Sequence, residues 1–308
     1  MVRLQAPKGT YDVLPGQQPM RQLVLREAKR IFTSAGYARI STPAFEETEL
    51  FSRGVGPSSD IVRKEMYTFD DKGGRSLTLK PEGTAPVVRA YIQHGMHKLP
   101  QPVKLWYYER MYRFESPQAG RYREHYQLGV EAIGSDDPML DAEIILMLSE
   151  LYKALGVPEI RLRLASMGCP DCRPVYQEKL KSYLNGLEAE LCRDCLERRE
   201  LNPLRVFDCK NKGCGTLLDK APKLIDNLCG ACSEHFETVK KYLDLFELTY
   251  RLDGTLVRGF DYYTRTTFEF ECEKLGAQKG IGGGGRYDNL VEEIGGPPTA
   301  AAGFGTGM

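Results

Sequence analysis

No apolar run in this sequence approaches the roughly 18 residues that a membrane span requires. Its first ten residues, Met1-Val-Arg-Leu-Gln-Ala-Pro-Lys-Gly-Thr10, lack the apolar core of a signal peptide, so a cytoplasmic protein is expected. Net charge is absent too, because 42 basic residues balance 42 acidic ones. That balance excludes a strongly basic protein that coats nucleic acid, but leaves room for a local basic patch. There is no internal repeat and no low-complexity tract. What remains is a chain with 42% apolar residues and ordinary glycine, proline and charge content, the composition of a folded, soluble protein. Its 308 residues have room for one large domain and a smaller module.

Cysteine is present but unevenly placed: eight of nine lie between Cys169 and Cys232. They form the pairs Cys169-x2-Cys172, Cys192-x2-Cys195, Cys209-x4-Cys214 and Cys229-x2-Cys232. In a leaderless chain of this size, such spacing points to thiolate pairs on a metal rather than to disulfides. Eight ligands make two sites of four, with zinc the expected ion and the pairing left open. The metal would be structural, folding a segment with little apolar core. His235 is expected at the surface, although it could replace one thiol, and Cys272 is expected as a buried apolar residue in a strand.

Periodicity gives the rest of the organisation. Leu23, Val24, Ala28, Ile31, Phe32 and Ala35 predict a helix over 19–36, with Gly36 as its C-terminal cap. A short strand is predicted over 37–43, an alternating stretch at 76–84 and a helix at 85–94. Strands at 103–115 and 126–133 form a predicted antiparallel hairpin with a basic tip, followed by a helix at 140–155 and a strand at 161–165. After the cysteine segment come a helix at 236–248, strands from Leu256, and a glycine-dense turn at 280–288. Strands split by a helical insertion predict an α+β fold, an antiparallel sheet flanked by helices. The expected boundaries are 1–165 and 249–308 for the main domain and 166–248 for the cysteine-rich insertion.

Side chains two apart on a strand share a face. Gln127, Gly129 and Glu131 therefore face one way, and Tyr126, Leu128 and Val130 the other. Arg113 and Glu115 share a face on the neighbouring strand, and Glu82 and Thr84 end another. Carboxylates and an amide can hold an ammonium and an imidazole, while a guanidinium offers a planar fork to phosphate. Leu256-Val-Arg-Gly-Phe-Asp-Tyr-Tyr263 adds a cation, Arg258, beside paired aromatics. This set suits activation of an amino acid at phosphorus.

Five segments in order resemble those of bacterial histidyl-tRNA synthetases, which are class II aminoacyl-tRNA synthetases. Gly36–Pro43 resembles their motif 1. Tyr112-Arg-Phe-Glu115, with Gly120-Arg-Tyr-Arg123 and Gln127-Leu-Gly-Val-Glu131, resembles motif 2. Lys80-Pro-Glu-Gly-Thr84 resembles the ammonium-binding segment. Leu256–Tyr263 and Gly284-Gly-Arg-Tyr-Asp288 resemble the two histidine signatures. The resemblance implies that Glu82 and Thr84 hold the α-amino group of histidine, that Gln127 helps fix the amino acid, that Glu131 and Tyr263 bind its imidazole, and that Tyr262 and Tyr287 belong to the same histidine-binding set. It implies Arg113, Glu115 and His125 for ATP, Arg121 and Arg123 for ATP or the tRNA acceptor end, and Arg258 as the cation between the histidine carboxylate and the α-phosphate. Ser116 stands where the family has an arginine, and His125 where an aromatic stacks on adenine. ATP, Mg2+, structural Zn2+, a homodimer and contact with the tRNA(His) acceptor stem follow as expectations. Ala302–Met308 resembles the start of motif 3, which leads to the expectation of a catalytic portion without an anticodon-binding domain and with impaired activity. The competing expectation is a histidine-sensing regulatory subunit of ATP phosphoribosyltransferase, a paralogue that does not aminoacylate.

Overall fold

The computed structural model describes residues 3–56, 59–117, 120–275 and 279–308, so Gln118 and Ala119 of the predicted hairpin loop lie outside the described residues. Eight strands form one sheet in the order Ala38–Arg39, Val103–Tyr112, Glu124–Ile133, Ala301–Gly307, Gly280–Arg286, Thr264–Cys272, Ile160–Ser166 and Tyr250–Leu252. The predicted hairpin forms, with Leu105 opposite Glu131 and Tyr107 opposite Gly129. The six central strands are antiparallel to one another, as expected. The two short edge strands run parallel to theirs, so the sheet is mixed. A separate three-stranded sheet holds Phe45–Glu47, Ser76–Leu79 and Tyr67–Asp70.

Alternation decides which face is covered by what. Leu128, Val130 and Ala132 point into a core with Trp106, Phe268, Phe270 and Phe304. Three helices cover that face: Gln18–Ser34, Pro138–Ala154 and Gly230–Leu245. The first ends where Gly36 takes a positive φ of 86°, as its cap position required. The second starts at Asp137, whose side chain accepts the Met139 N–H at 2.8 Å, with Pro138 in the first turn. The other face carries the helix Thr84–Gln93, Leu290 and Val291, the tyrosines 107, 262, 263 and 287, and the helices Cys172–Asn185, Arg193–Leu201 and Lys212–Asp219.

Several local expectations are corrected. The predicted strand at 37–43 shrinks to Ala38–Arg39, because Thr42 instead binds the Glu109 carboxylate through its N–H and hydroxyl. Leu256–Tyr263 is not a strand but an irregular connection, and the strand begins at Thr264. The glycine-dense segment is a strand, Gly280–Arg286, rather than a turn. Glycines carry no side chain, so they show no alternation to read. Arg113 and Glu115 lie beyond the end of their strand, and Glu82 follows its strand and accepts an N–H from the first turn of the next helix.

Candidate active site

The site grows from the strand Glu124–Ile133 and its two neighbours. Gln127 and Glu131 need space on a crowded face, and glycines provide it. Gly303 pairs with Glu131, and a Cβ there would come within 2.0 Å of the Glu131 Oε2. Gly129 makes room in the same way for the ring of Tyr107. Tyr107 in turn accepts the Gln127 amide N–H at 2.9 Å.

Glu131 is fully buried and anchored by three hydroxyls. Thr84 Oγ1 donates to it at 2.8 Å, Tyr287 donates to its other oxygen, and Tyr107 lies 3.5 Å away. Burial pushes the Glu131 carboxyl up to about 8, against these hydrogen bonds. Glu82 is also buried and its carboxyl is raised, again by desolvation, although the N–H groups of Thr84 and Ala85 donate to it at 2.6 and 2.8 Å. Gly83 is the N-cap of the helix that starts at Thr84, and the Glu82 carboxylate takes two N–H groups of its first turn.

Above this layer is a cavity of about 230 Å³, whose wall includes Glu82, Thr84, Arg113, Gln127, Arg258 and Tyr263. Glu131 and Tyr287 stand behind that wall. Arg258 points to Glu269 at 2.5 Å, and its guanidinium lies 5.9 Å from the Tyr263 ring centroid. A second cavity of about 870 Å³ holds Glu115, Arg121 and His125. The two share Arg113, His125, Gly280, Ile281 and Gly307, so they form one continuous cleft. Arg121 and Arg113 approach Glu115 at 3.5 and 3.9 Å. Burial and the neighbouring Arg113 push His125 down to about 4, which keeps its ring neutral at pH 7.

The structure thus brings Glu82, Thr84, Arg113, Glu115, Arg121, His125, Gln127, Arg258, Tyr262 and Tyr263 to one cleft, with Glu131 and Tyr287 directly beneath. It does not bring Arg123, which lies over the Phe114 ring at 4.0 Å and donates to the Glu115 carbonyl at 3.2 Å. Sequence reasoning missed Tyr107 and Glu269. The signal for Glu269 was available: it alternates with Phe268 and Phe270 on a strand.

The cysteines resolve into two groups, Cys169, Cys172, Cys229 and Cys232, and Cys192, Cys195, Cys209 and Cys214. None is in a disulfide. Sulfur separations are 3.8 Å for Cys169–Cys172 and Cys169–Cys229, 3.9 Å for Cys172–Cys232 and 3.7 Å for Cys192–Cys209. A tetrahedral thiolate site with metal–sulfur bonds of about 2.3 Å has edges of about 3.8 Å, so both groups fit one ion each. The backbone N–H groups of Cys169 and Cys192 donate to Cys172 and Cys214 sulfurs at 3.3 Å, as a negatively charged cluster needs. His235 is neither a ligand nor at the surface. It is buried and paired with Asp141 at 2.7 Å, and Asp141 also meets the buried Arg286. Cys272 is buried in its strand, as expected.

Among the described residues no helix is long and apolar enough to cross a membrane. A family profile described as histidyl-tRNA synthetase matches residues 9–308. A histidine–tRNA ligase of Desulforamulus reducens is 50% identical over 302 residues, which cover 98% of this chain and 72% of that protein. The apo structure of S. aureus histidyl-tRNA synthetase superposes with a TM-score of 0.80 at 36% identity, covering 99% of this chain and 72% of that one. A Bacillus halodurans protein described as an ATP phosphoribosyltransferase regulatory subunit/histidyl-tRNA synthetase shares the fold, with a TM-score of 0.73 at 22% identity and coverage of 100% and 82%. The profile match and the half-identical relative leave one conclusion: the chain belongs to the histidyl-tRNA synthetase family.

Proposed function

We propose that this chain carries the catalytic site of a histidine–tRNA ligase, which activates histidine with ATP and passes it to tRNA(His). One observation carries the reading: a carboxylate, a hydroxyl, an amide and two guanidinium groups converge on a small cavity that continues into a larger one with a neutral imidazole. Glu82 and Thr84 would receive the ammonium, since a carboxylate already holding two N–H donors keeps further lone pairs. Gln127 would fix the amino acid, and Tyr263 with Glu131 would read the imidazole. His125 would offer its flat ring to adenine. The histidine carboxylate oxygen then attacks the α-phosphorus of Mg·ATP, the bond to the bridging oxygen breaks, and pyrophosphate leaves. Arg113 and Arg258 reach the same cavity and would stabilise the charge that develops on phosphorus. In the second step a terminal hydroxyl of the tRNA attacks the acyl carbon and AMP leaves. A histidine sensor has no need of two phosphate-facing guanidiniums, which favours the ligase over the regulatory alternative.

Residues 166–248 are proposed as an inserted module near the acceptor stem, because its helices lie between two strands that are neighbours in the sheet. Zn2+ is the proposed ion of both thiolate clusters. A homodimer through the Gly36–Pro43 segment and a cytoplasmic location complete the proposal. Titration with histidine tests the core of it, together with histidine-dependent ATP–pyrophosphate exchange. Binding that Glu82→Gln and Gln127→Ala each weaken is expected. An intact fold that binds no histidine would overturn the site assignment.

A further inference from the structure

The segment Pro203–Asp208 is strung between ligands of one cluster. Cys192 and Cys195 stand at the start of the helix Arg193–Leu201 that leads into it, and Cys209 follows it directly. Leu204 and Val206 bury it in the core that also holds Tyr262 and Tyr263. From this segment Arg205 crosses to the cleft. Its Nη2 donates to the Gly259 carbonyl at 2.7 Å, and Nη1 lies 3.7 Å from Asp60 and 3.9 Å from Asp208. Arg205 is 7% exposed and lines the larger cavity beside Arg113, Glu115 and His125. Its Nε is buried with no hydrogen-bond partner among the described residues. Next to it, the Asn202 amide donates to Asp261 at 3.2 Å. Gly259 follows Arg258 directly, and no regular secondary structure fixes the loop between Leu256 and Tyr263.

We propose that Arg205 is a positioning residue for Arg258, and that the cluster of Cys192, Cys195, Cys209 and Cys214 is the anchor that holds it. With a metal on those thiolates, both ends of the Pro203–Asp208 segment are fixed and the guanidinium grips the Gly259 carbonyl. Without it, that grip loosens, the Gly259 carbonyl keeps only the Ser59 hydroxyl, which donates to it at 2.9 Å, and Arg258 is held less firmly toward the cavity. Metal occupancy of a site outside the cleft then sets the affinity of the cleft for its substrate. This rests on the histidine-binding reading above.

The test is calorimetric titration with L-histidine, alongside metal analysis and hydrogen exchange over 256–263. Arg205→Met should keep both metal ions and a cooperative melt, at a somewhat lower melting temperature than the parent. It should bind histidine about tenfold more weakly, the loss expected for one charge-assisted hydrogen bond. Arg205→Lys should recover part of that loss. Cys209→Ser should lose one metal ion, speed exchange over 256–263 and weaken histidine to a similar degree, and adding Arg205→Met to it should change little more. Parent-like binding by Arg205→Met, or full additivity of the two substitutions, would overturn the coupling. If the parent itself binds no histidine, it is the site assignment that fails.

Discussion

Glu131 shows how a single carboxyl can be tuned by its neighbours. Its proton is held up to about 8 because the side chain is wholly desolvated. In the unfolded chain it ionises in the ordinary carboxylate range, so folding takes up a proton between that range and about pH 8. Its contribution to stability is complete below the ordinary range and is lost as pH rises to about 8. Thermal melts of the free protein at pH 5, 7 and 9 should therefore fall more steeply than those of Glu131→Gln; parallel curves would contradict the assignment. Arg258 is a second case. Its partner Glu269 also meets Arg163 at 3.3 Å, so Arg258→Met leaves a carboxylate that still has one cation. We expect Arg258→Met to remain folded while adenylation falls by about 10²-fold or more. A loss of folding instead would make Arg258 a structural residue. Not every residue in the site announced itself: Arg113 and Gln127 stood in recognisable motifs, whereas Tyr107 looked like one more aromatic on a core strand. Its place beside Gln127 comes from the register that sets it opposite Gly129, and register is a long-range property.

At the level of elements, regular amphipathic patterns were readable and glycine-rich or irregular ones were not. The helices at 18–34 and 138–154 were predicted almost to their ends, the first because a spaced apolar stripe and a glycine cap agreed locally. The strand Gly280–Arg286 had no pattern to show, and the loop at 256–263 borrowed apolar residues that pack singly rather than in alternation. The helix Pro138–Ala154 is buried along its length and contacts both the sheet and the helix Gly230–Leu245. Leu148→Ala, at a fully buried position, should cost about 2–5 kcal/mol in urea unfolding without changing histidine affinity. On the other face, Gly303→Ala drives a methyl group against Glu131 and the Val130 carbonyl. It should cost about 1–3 kcal/mol and weaken histidine binding as well.

For the whole molecule, the two groups of four cysteines tie together segments far apart in sequence. Four cysteine pairs were legible in the sequence, but which pair met which was not, since that depends on how the intervening helices cross. Two metal ions per chain are expected by elemental analysis under reducing conditions, and Cys272→Ser should leave both in place. Strong chelation should lower the melting temperature; an unchanged melt would remove the structural role. The pairing is nested: Cys169 and Cys229 are 60 residues apart, and Cys192 and Cys209 only 17. Closing the longer loop costs about 1 kcal/mol more in chain entropy. The inner knot can tie as soon as Cys214 has been made, whereas the outer one must wait for Cys232. The nesting therefore allows the inner site to be complete, during synthesis, before the last ligands of the outer one exist.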